Sequence, residues 1–184
     1  LQTKDAAPGV FPFVRGTKAD NEWYVRQDIT VDSAKEANAK ALEVLNKGVN
    51  SLGFVLKTHE VSAETLATLL EGIAADCVEL NFRISVKSAV QFGTILSDYF
   101  TSKGYDVKKL QGSICFDPFL RMLQIGKEMT KEDVIATGKA LIEATSALPF
   151  YRVVYVNASV LSNAGAYVAQ ELGYALAWGN EYLS

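Results

Sequence analysis

Apolar residues recur at two different spacings along the chain, and the two spacings alternate. Stripes at helical spacing predict helices over residues 32–46, 62–73, 85–103, 118 onwards, 130–147 and 163–183. Short apolar runs between them predict buried strands at residues 51–56, 77–84, 111–116 and 151–157, with a possible first strand at 23–29. The final predicted helix carries its stripe on Val168, Leu172, Leu176 and Leu183. The chain is therefore predicted to be a series of strand–helix units.

Polar residues mark the starts of several predicted helices. Asp32 or Ser33 is suited to cap the first helix, and Ser85 is suited to cap the third. Asp117 followed by Pro118 is typical of a helix start, since proline needs no donor in the first turn. Residues 130–133 resemble a capping box. A helix cap is thus the simplest role for Asp117.

The alternation of strands and helices predicts an α/β fold with a parallel sheet. Strand–helix units at intervals of about 30–40 residues are typical of βαβ repeats. Both a doubly wound open sheet and a (β/α)8 barrel use this pattern. A complete barrel takes about 250 residues, so a chain of 184 residues is short for one.

The first 20 residues or so lack a period and are punctuated by glycine and proline, which indicates an arm or loop. The arm and the residues after it carry four large aromatic side chains: Phe11, Phe13, Trp23 and Tyr24. Such side chains need a surface to pack against. Docking on the same domain and docking on a partner subunit are both open at this point.

Composition and charge narrow the classes of function. Hydrophobic residues make up 49% of the chain, as in ordinary globular proteins. The net charge is −3, which does not favour binding to nucleic acid. We see no signal peptide and no long apolar run, so we expect a cytoplasmic protein without a membrane partner. Cys77 and Cys115 lack metal-ligand spacing. We expect two reduced, buried thiols and no metal site.

No standard catalytic or nucleotide-binding motif is present. His59, the single histidine, falls between a strand and a helix. It is either a general base at a barrel mouth or, as we favour, an exposed loop residue.

Arg83 lies inside an apolar strand, so it needs a partner or an exit to solvent. A salt bridge is favoured for Arg83 over a bound phosphate or carboxylate. Other polar groups near strand ends are Asn81, Asp117 and Asn157.

Three stretches in the same order resemble the methylmalonyl-CoA mutase family. Residues 8–16, PGVFPFVRG, are similar to that family's arm, PGxxPFxRG, and the Arg26-Gln27 pair follows. Residues 104–117 are similar to GYDxxxLxGTIxxD, and residues 164–177 resemble AGAxxxQELAxxLA. Family members catalyse the radical isomerisation of (R)-methylmalonyl-CoA and succinyl-CoA with adenosylcobalamin.

The resemblance implies a partial TIM barrel of the cobalamin-dependent mutase type. Residues 1–30 would be the arm and a possible first strand, and residues 31–184 the first half of the barrel. The family's cobalamin domain would not be present in this chain, so we expect these residues to bind no cofactor. A half-barrel leaves a sheet edge on each side. We therefore expect self-association, or edges covered by the arm or the terminal helices.

Departures from the family pattern fall on catalytic positions. A tyrosine-bearing stretch of the catalytic subunit is shortened here to residues 17–25. A histidine before the AGA motif is replaced by Val160, and a carboxylate-binding arginine falls at Ile125, with Arg121 near but not matching. Val160 and Ile125 can neither transfer a proton nor pair with a carboxylate. The resemblance thus implies a non-catalytic, structural small subunit that pairs with a catalytic large subunit.

Bulky residues in the strand near residue 80 favour the same interpretation. Leu80, Phe82 and Ile84 stand where the catalytic chain lines its CoA tunnel with small hydroxyl residues. A filled barrel would exclude CoA, although the sequence does not fix which face points inward. Two alternatives stay open: a catalytic acyl-CoA mutase of sister specificity, and a non-enzymatic binding module that reuses half of the barrel.

Overall fold

Five parallel strands form one sheet in the computed structural model, which describes residues 6–126 and 129–183. The strands are β1 (Arg26–Thr30), β2 (Ser51–Val55), β3 (Glu79–Arg83), β4 (Gly112–Phe116) and β5 (Tyr151–Val154). Their order in the sheet is the order along the chain. The first five residues of the predicted arm lie outside the described residues.

Seven α-helices accompany the sheet in the described part of the chain. They are α1 (Ala34–Leu45), α2 (Ala63–Leu69), α3 (Ala89–Ser102), α4 (Pro118–Ile125), α5 (Lys131–Ala144), α6 (Ser159–Asn163) and α7 (Val168–Leu183). Single turns of 3₁₀-helix at Thr58–Glu60 and Val86–Ser88 follow β2 and β3. No helix among the described residues is long and apolar enough to cross a membrane.

The consecutive strand order distinguishes between the two candidate architectures. A doubly wound sheet reverses its order at a switch point, whereas this sheet runs from β1 to β5 without reversal. Helices α1, α2, α3 and α5 follow one another across the sheet, each packing against its neighbour. The parallel α/β prediction is confirmed, and the arrangement is that of a partial barrel.

One face of the sheet is apolar and packs against the helices. Leu52, Phe54, Leu80 and Phe82 are fully buried there. The Phe82 ring lies 4.8 Å from that of Phe92 in α3. Leu80 and Phe82 therefore point toward the helices. The interpretation that they fill the barrel interior is wrong, because alternation along β3 sends Glu79, Asn81 and Arg83 to the opposite face.

Helix starts agree with the capping pattern except at the third helix. The side chains of Ser33, Ser62, Asp117 and Thr130 each accept a hydrogen bond from an amide in the first turn of the helix that follows. Ser85 makes no such bond, because a 3₁₀ turn intervenes and α3 begins only at Ala89.

The end of the chain differs from the prediction in two ways. The final helix, predicted over residues 163–183, begins only at Val168 (α7), and the short helix α6 before it was not predicted. Gly165 lies between the two helices with a φ of 98°, which interrupts the helix. In α7 the predicted stripe is exposed, while Trp178 is the buried residue of the helix. Trp178 and Tyr182 pack against Phe119 of α4. The helix thus docks through a different face from the one its leucines predict.

Both edge strands are unpaired on their outer sides in the described chain. Four of the five side chains of β1 are exposed, so the described part of the arm does not cover this edge, and covering of the edges stays a prediction. Self-association stays a prediction.

Cys77 is exposed in the turn before β3, where a buried thiol was expected, and Cys115 is partly buried.

Gly112 gives a direct test of the sheet packing. A Cβ at this position would lie 1.8 Å from the backbone oxygen of Leu80, and a backbone atom inside a sheet has no room to move. We expect Gly112→Ala to lower the free energy of unfolding by about 3 kcal/mol, at the upper end of overpacking costs. Urea denaturation measures it.

Gly173 in α7 is the matched control, because a Cβ there meets nothing within 4 Å. Gly173→Ala should raise stability by up to about 1 kcal/mol through helix propensity. Equal effects of the two substitutions would contradict the packing at Gly112.

Candidate functional site

A buried carboxylate organises the polar face of the sheet. Glu79 Oε2 accepts a hydrogen bond from Ser51 Oγ at 2.6 Å and one from Asn81 Nδ2 at 3.1 Å. Ser113 Oγ donates to Asn81 Oδ1 at 2.6 Å, which extends the network to β4. Arg152 of β5 completes it with an ion pair to Glu79 Oε1. One network therefore joins four adjacent strands.

Electrostatics keep Glu79 ionised. Burial raises its pKa, but the hydrogen bonds from Ser51, Asn81 and Arg152 together outweigh burial and bring the pKa below its ordinary value. A buried charge is tolerated when it is paired and hydrogen-bonded in this way.

A second charged pair lies on the same face at β1. Arg26 Nε donates to Asp28 Oδ1 at 2.7 Å. A Cβ on Gly53 would lie 1.9 Å from that same oxygen. Only glycine at this position of β2 therefore leaves room for the Arg26–Asp28 pair. The polar face is thus lined by charges of both signs.

A cavity of about 410 Å³ opens at the carboxyl ends of β2 to β5. In parallel α/β folds, ligands and catalytic groups concentrate at this end. Charged and polar groups of its lining come from strand ends and from α4: Lys57, Thr58, Arg83, Ser85, Cys115, Asp117, Arg121, Gln124, Tyr155 and Asn157. Burial raises the pKa of the Cys115 thiol, which favours its neutral form.

Asp117 ties the cavity wall together. Its Oδ1 accepts from Leu120 N at 3.1 Å and from the Tyr182 hydroxyl at 2.6 Å, and its Oδ2 accepts from Asn157 N at 2.9 Å. The carboxylate therefore caps α4 as predicted, and it also joins α7 to the end of β5. Burial raises the pKa of Asp117, and these hydrogen bonds partly offset that rise.

The polar residues that the sequence analysis singled out lie in three different places in the structure. Arg83, Asp117 and Asn157 line the cavity, whereas Asn81 lies in the buried network. His59 is an exposed loop residue, as favoured, with 77% of its side chain accessible.

The two positions at which the resemblance places catalytic groups do not lie in the cavity wall. Neither Val160 nor Ile125 is among the lining residues, whereas Arg121, one turn before Ile125 in α4, is. The prediction that these positions carry no catalytic group is not tested by their placement.

Some residues escaped the sequence analysis. Glu79 and Arg152 were not singled out, although the polar residues Glu79, Asn81 and Arg83 alternate along β3 and were the available signal. Tyr155 and Gln124 reach the cavity from different elements, and no local pattern would have identified them.

The arm does not pack its aromatic groups into the core. Residues 9–16 form a closed loop, in which Gly9 N donates to Gly16 O at 2.9 Å. Phe11 is 82% exposed and Trp23 is 69% exposed. Tyr24 makes one hydrogen bond to the domain, from its hydroxyl to Gln111. The option that these side chains dock on their own domain is not supported among the described residues.

Comparison with known proteins gives the family. The family model described as methylmalonyl-CoA mutase matches residues 58–184. The chain belongs to the methylmalonyl-CoA mutase family.

Relatives within the family are similar over nearly the whole chain. A protein of Porphyromonas gingivalis named methylmalonyl-CoA mutase small subunit is 46% identical over 184 residues, which is 100% of this chain and 29% of the relative. A protein of the same name from Streptomyces virginiae is 30% identical, over 98% of this chain and 30% of the relative. One from Propionibacterium freudenreichii is 28% identical. The chain spans under a third of the length of these curated relatives.

The mutase family uses adenosylcobalamin, and the described residues do not fit that cofactor. The cavity lining contains no histidine that could coordinate cobalt. No group of three or more His, Cys, Asp or Glu side chains in the described ranges could hold a metal ion.

Replacing Glu79 tests the polar network and its pH dependence. Glu79→Gln removes the charge that Arg152 pairs with, so we expect a loss of about 1–3 kcal/mol at pH 7. Because the folded-state pKa is lowered, the carboxylate stabilises the fold above the ordinary value of 4.5 and loses this effect as pH falls through the folded pKa. The difference between wild type and variant should narrow below about pH 4.5 in urea titrations.

Glu43→Gln is the control for this prediction. The pKa of Glu43 is lowered to about 2 by Lys47 and Lys40, but this carboxylate lies on the surface. Solvent screening should make its contribution much smaller. A pH-independent difference at Glu79 would argue against an ionised network.

Proposed function

We propose that this chain is part of the small subunit of an adenosylcobalamin-dependent methylmalonyl-CoA mutase, and that the subunit is structural rather than catalytic. The observation that carries the proposal is the 46% identity over the whole chain to a protein named as a small subunit. The complete subunit would pair with a catalytic large subunit. Cobalamin would be bound outside these residues.

The chemistry of the chain supports a non-catalytic role. Val160 and Ile125 stand at positions where the resemblance places a histidine and an arginine of the catalytic subunit. Neither side chain can donate or accept a proton. Radical isomerisation needs groups that bind and orient the thioester and carboxylate of the substrate. These two aligned positions supply none of them.

Exposure of the arm supports pairing with another subunit. Phe11, Phe13, Trp23 and Tyr24 leave large apolar surfaces in solvent. Exposed aromatic clusters of this kind mark interaction surfaces, where Trp and Tyr contribute strongly to binding. We therefore place the contact with the large subunit partly on the arm.

Activity assays of the two full-length subunits, alone and together, test the catalytic part of the proposal. We expect mutase turnover from the complex of the two subunits and no turnover from the small subunit alone. Val160→His in the small subunit should leave the turnover of the complex unchanged. Turnover by the full-length small subunit alone would show that it retains a catalytic site.

An arm variant tests the pairing. Trp23→Ser should weaken association with the large subunit at least about tenfold, since a buried Trp at an interface contributes 2 kcal/mol or more as a rough value. Analytical ultracentrifugation or surface plasmon resonance measures the dissociation constant. Ile142→Ser is the control, because Ile142 is also a large exposed apolar residue but lies on helix α5 and not at the amino ends of the strands, where Trp23 and Tyr24 lie. Equal effects of both variants would exclude a specific role for the arm.

A further inference from the structure

The cavity at the carboxyl ends of the strands is positively charged in a chain of net charge −3. Three cationic side chains line it: Lys57, Arg83 and Arg121. Lys57 is neutralised, because its Nζ lies 2.6 Å from Asp32 Oδ1. Arg83 and Arg121 have no ion-pair partner among the residues the structure describes. The salt bridge favoured for Arg83 from sequence is thus not found within this part of the chain.

The one acidic residue in the lining, Asp117, forms no ion pair with either arginine. Both oxygens of Asp117 accept hydrogen bonds, from Tyr182, Leu120 and Asn157. The carboxylate is thereby committed to holding α4, β5 and α7 together. By contrast, Arg26 and Arg152 each pair with a carboxylate on the polar face of the sheet. Arg15 of the arm also has no carboxylate partner among the described residues, but it donates to the backbone oxygen of Ala6 and lies outside the cavity.

We propose that this cavity binds a small anion through a phosphate or carboxylate group held by Arg83 and Arg121. Guanidinium groups present paired N–H donors that match such oxyanions in geometry and charge. Thr58, Ser85, Gln124 and Tyr155 line the same space and add neutral hydrogen-bonding groups. The volume of about 410 Å³ lies in the range of small-molecule sites. This site goes beyond the proposed structural role, because it gives the subunit a ligand of its own.

Calorimetric titration of the full-length protein tests the proposal. Inorganic phosphate and malonate are the two probes, each at constant ionic strength maintained with sodium chloride. We expect saturable binding of at least one probe at a single site. Tighter binding of phosphate would identify a phosphorylated ligand, and tighter binding of malonate a carboxylate ligand.

Variants assign the binding to the cavity. Arg83→Gln and Arg121→Gln should each weaken it at least about tenfold, as expected for the loss of a charge-assisted hydrogen bond. Arg83→Lys should fall between wild type and Arg83→Gln, because it keeps the charge and loses the paired donors. Lys108→Gln removes an equal charge from an exposed position outside the cavity and should change the affinity less than twofold.

Two outcomes would overturn the proposal. One is the absence of saturable binding of either probe at millimolar concentration, as occurs if another part of the full chain fills the cavity or pairs with the arginines. The other is binding that both glutamine variants retain. Both arginines are exposed, so the variants should fold normally, and circular dichroism spectra matching the wild type verify this.

Discussion

The hydrogen-bonded carboxylate of Glu79 is the constraint around which the polar side of the sheet is arranged. It holds Ser51 of β2, Asn81 of β3 and Arg152 of β5, and through Asn81 it reaches Ser113 of β4. A shift of one residue in any strand would turn these side chains toward the helices and leave the charge unpaired. The network therefore specifies the same register as the apolar face on the other side of the sheet, where Leu80 and Phe82 are fully buried.

Sequence patterns predicted the elements of the fold well, because each strand and helix is specified by local spacing and caps. Asp117 is an example, since its position before Pro118 was enough to assign the cap that the structure shows. The patterns failed where the outcome depends on contacts distant in sequence. The leucine stripe of α7 was expected to be buried, yet the helix docks through Trp178 and Tyr182 on Phe119, which lies about 60 residues earlier. For the same reason the sequence left open which face of β3 carries Leu80 and Phe82, and contacts with α3 decide it.

The site was less predictable than the fold. Arg83 was noticed because an arginine in an apolar strand is unusual, but its surroundings come from three other strand ends and from α4. The order of the strands in the sheet brings these ends together, and local sequence patterns do not predict that order. The resemblance to the mutase family supplied it, and the consecutive strand order agrees with that source.

The proposed lack of a catalytic site and the proposed anion site are compatible in one subunit. The aligned positions Val160 and Ile125 lie outside the cavity wall, whereas Arg121, one turn from Ile125 on α4, lies in it. A helix turn moves a side chain by about 5.4 Å along the axis, so an arginine at position 121 meets a different part of the space from one at 125. Groups that bind anions can thus persist in a barrel mouth whose proton-transfer and substrate-orienting groups are gone. Under the proposed structural role, the arginines would serve binding alone.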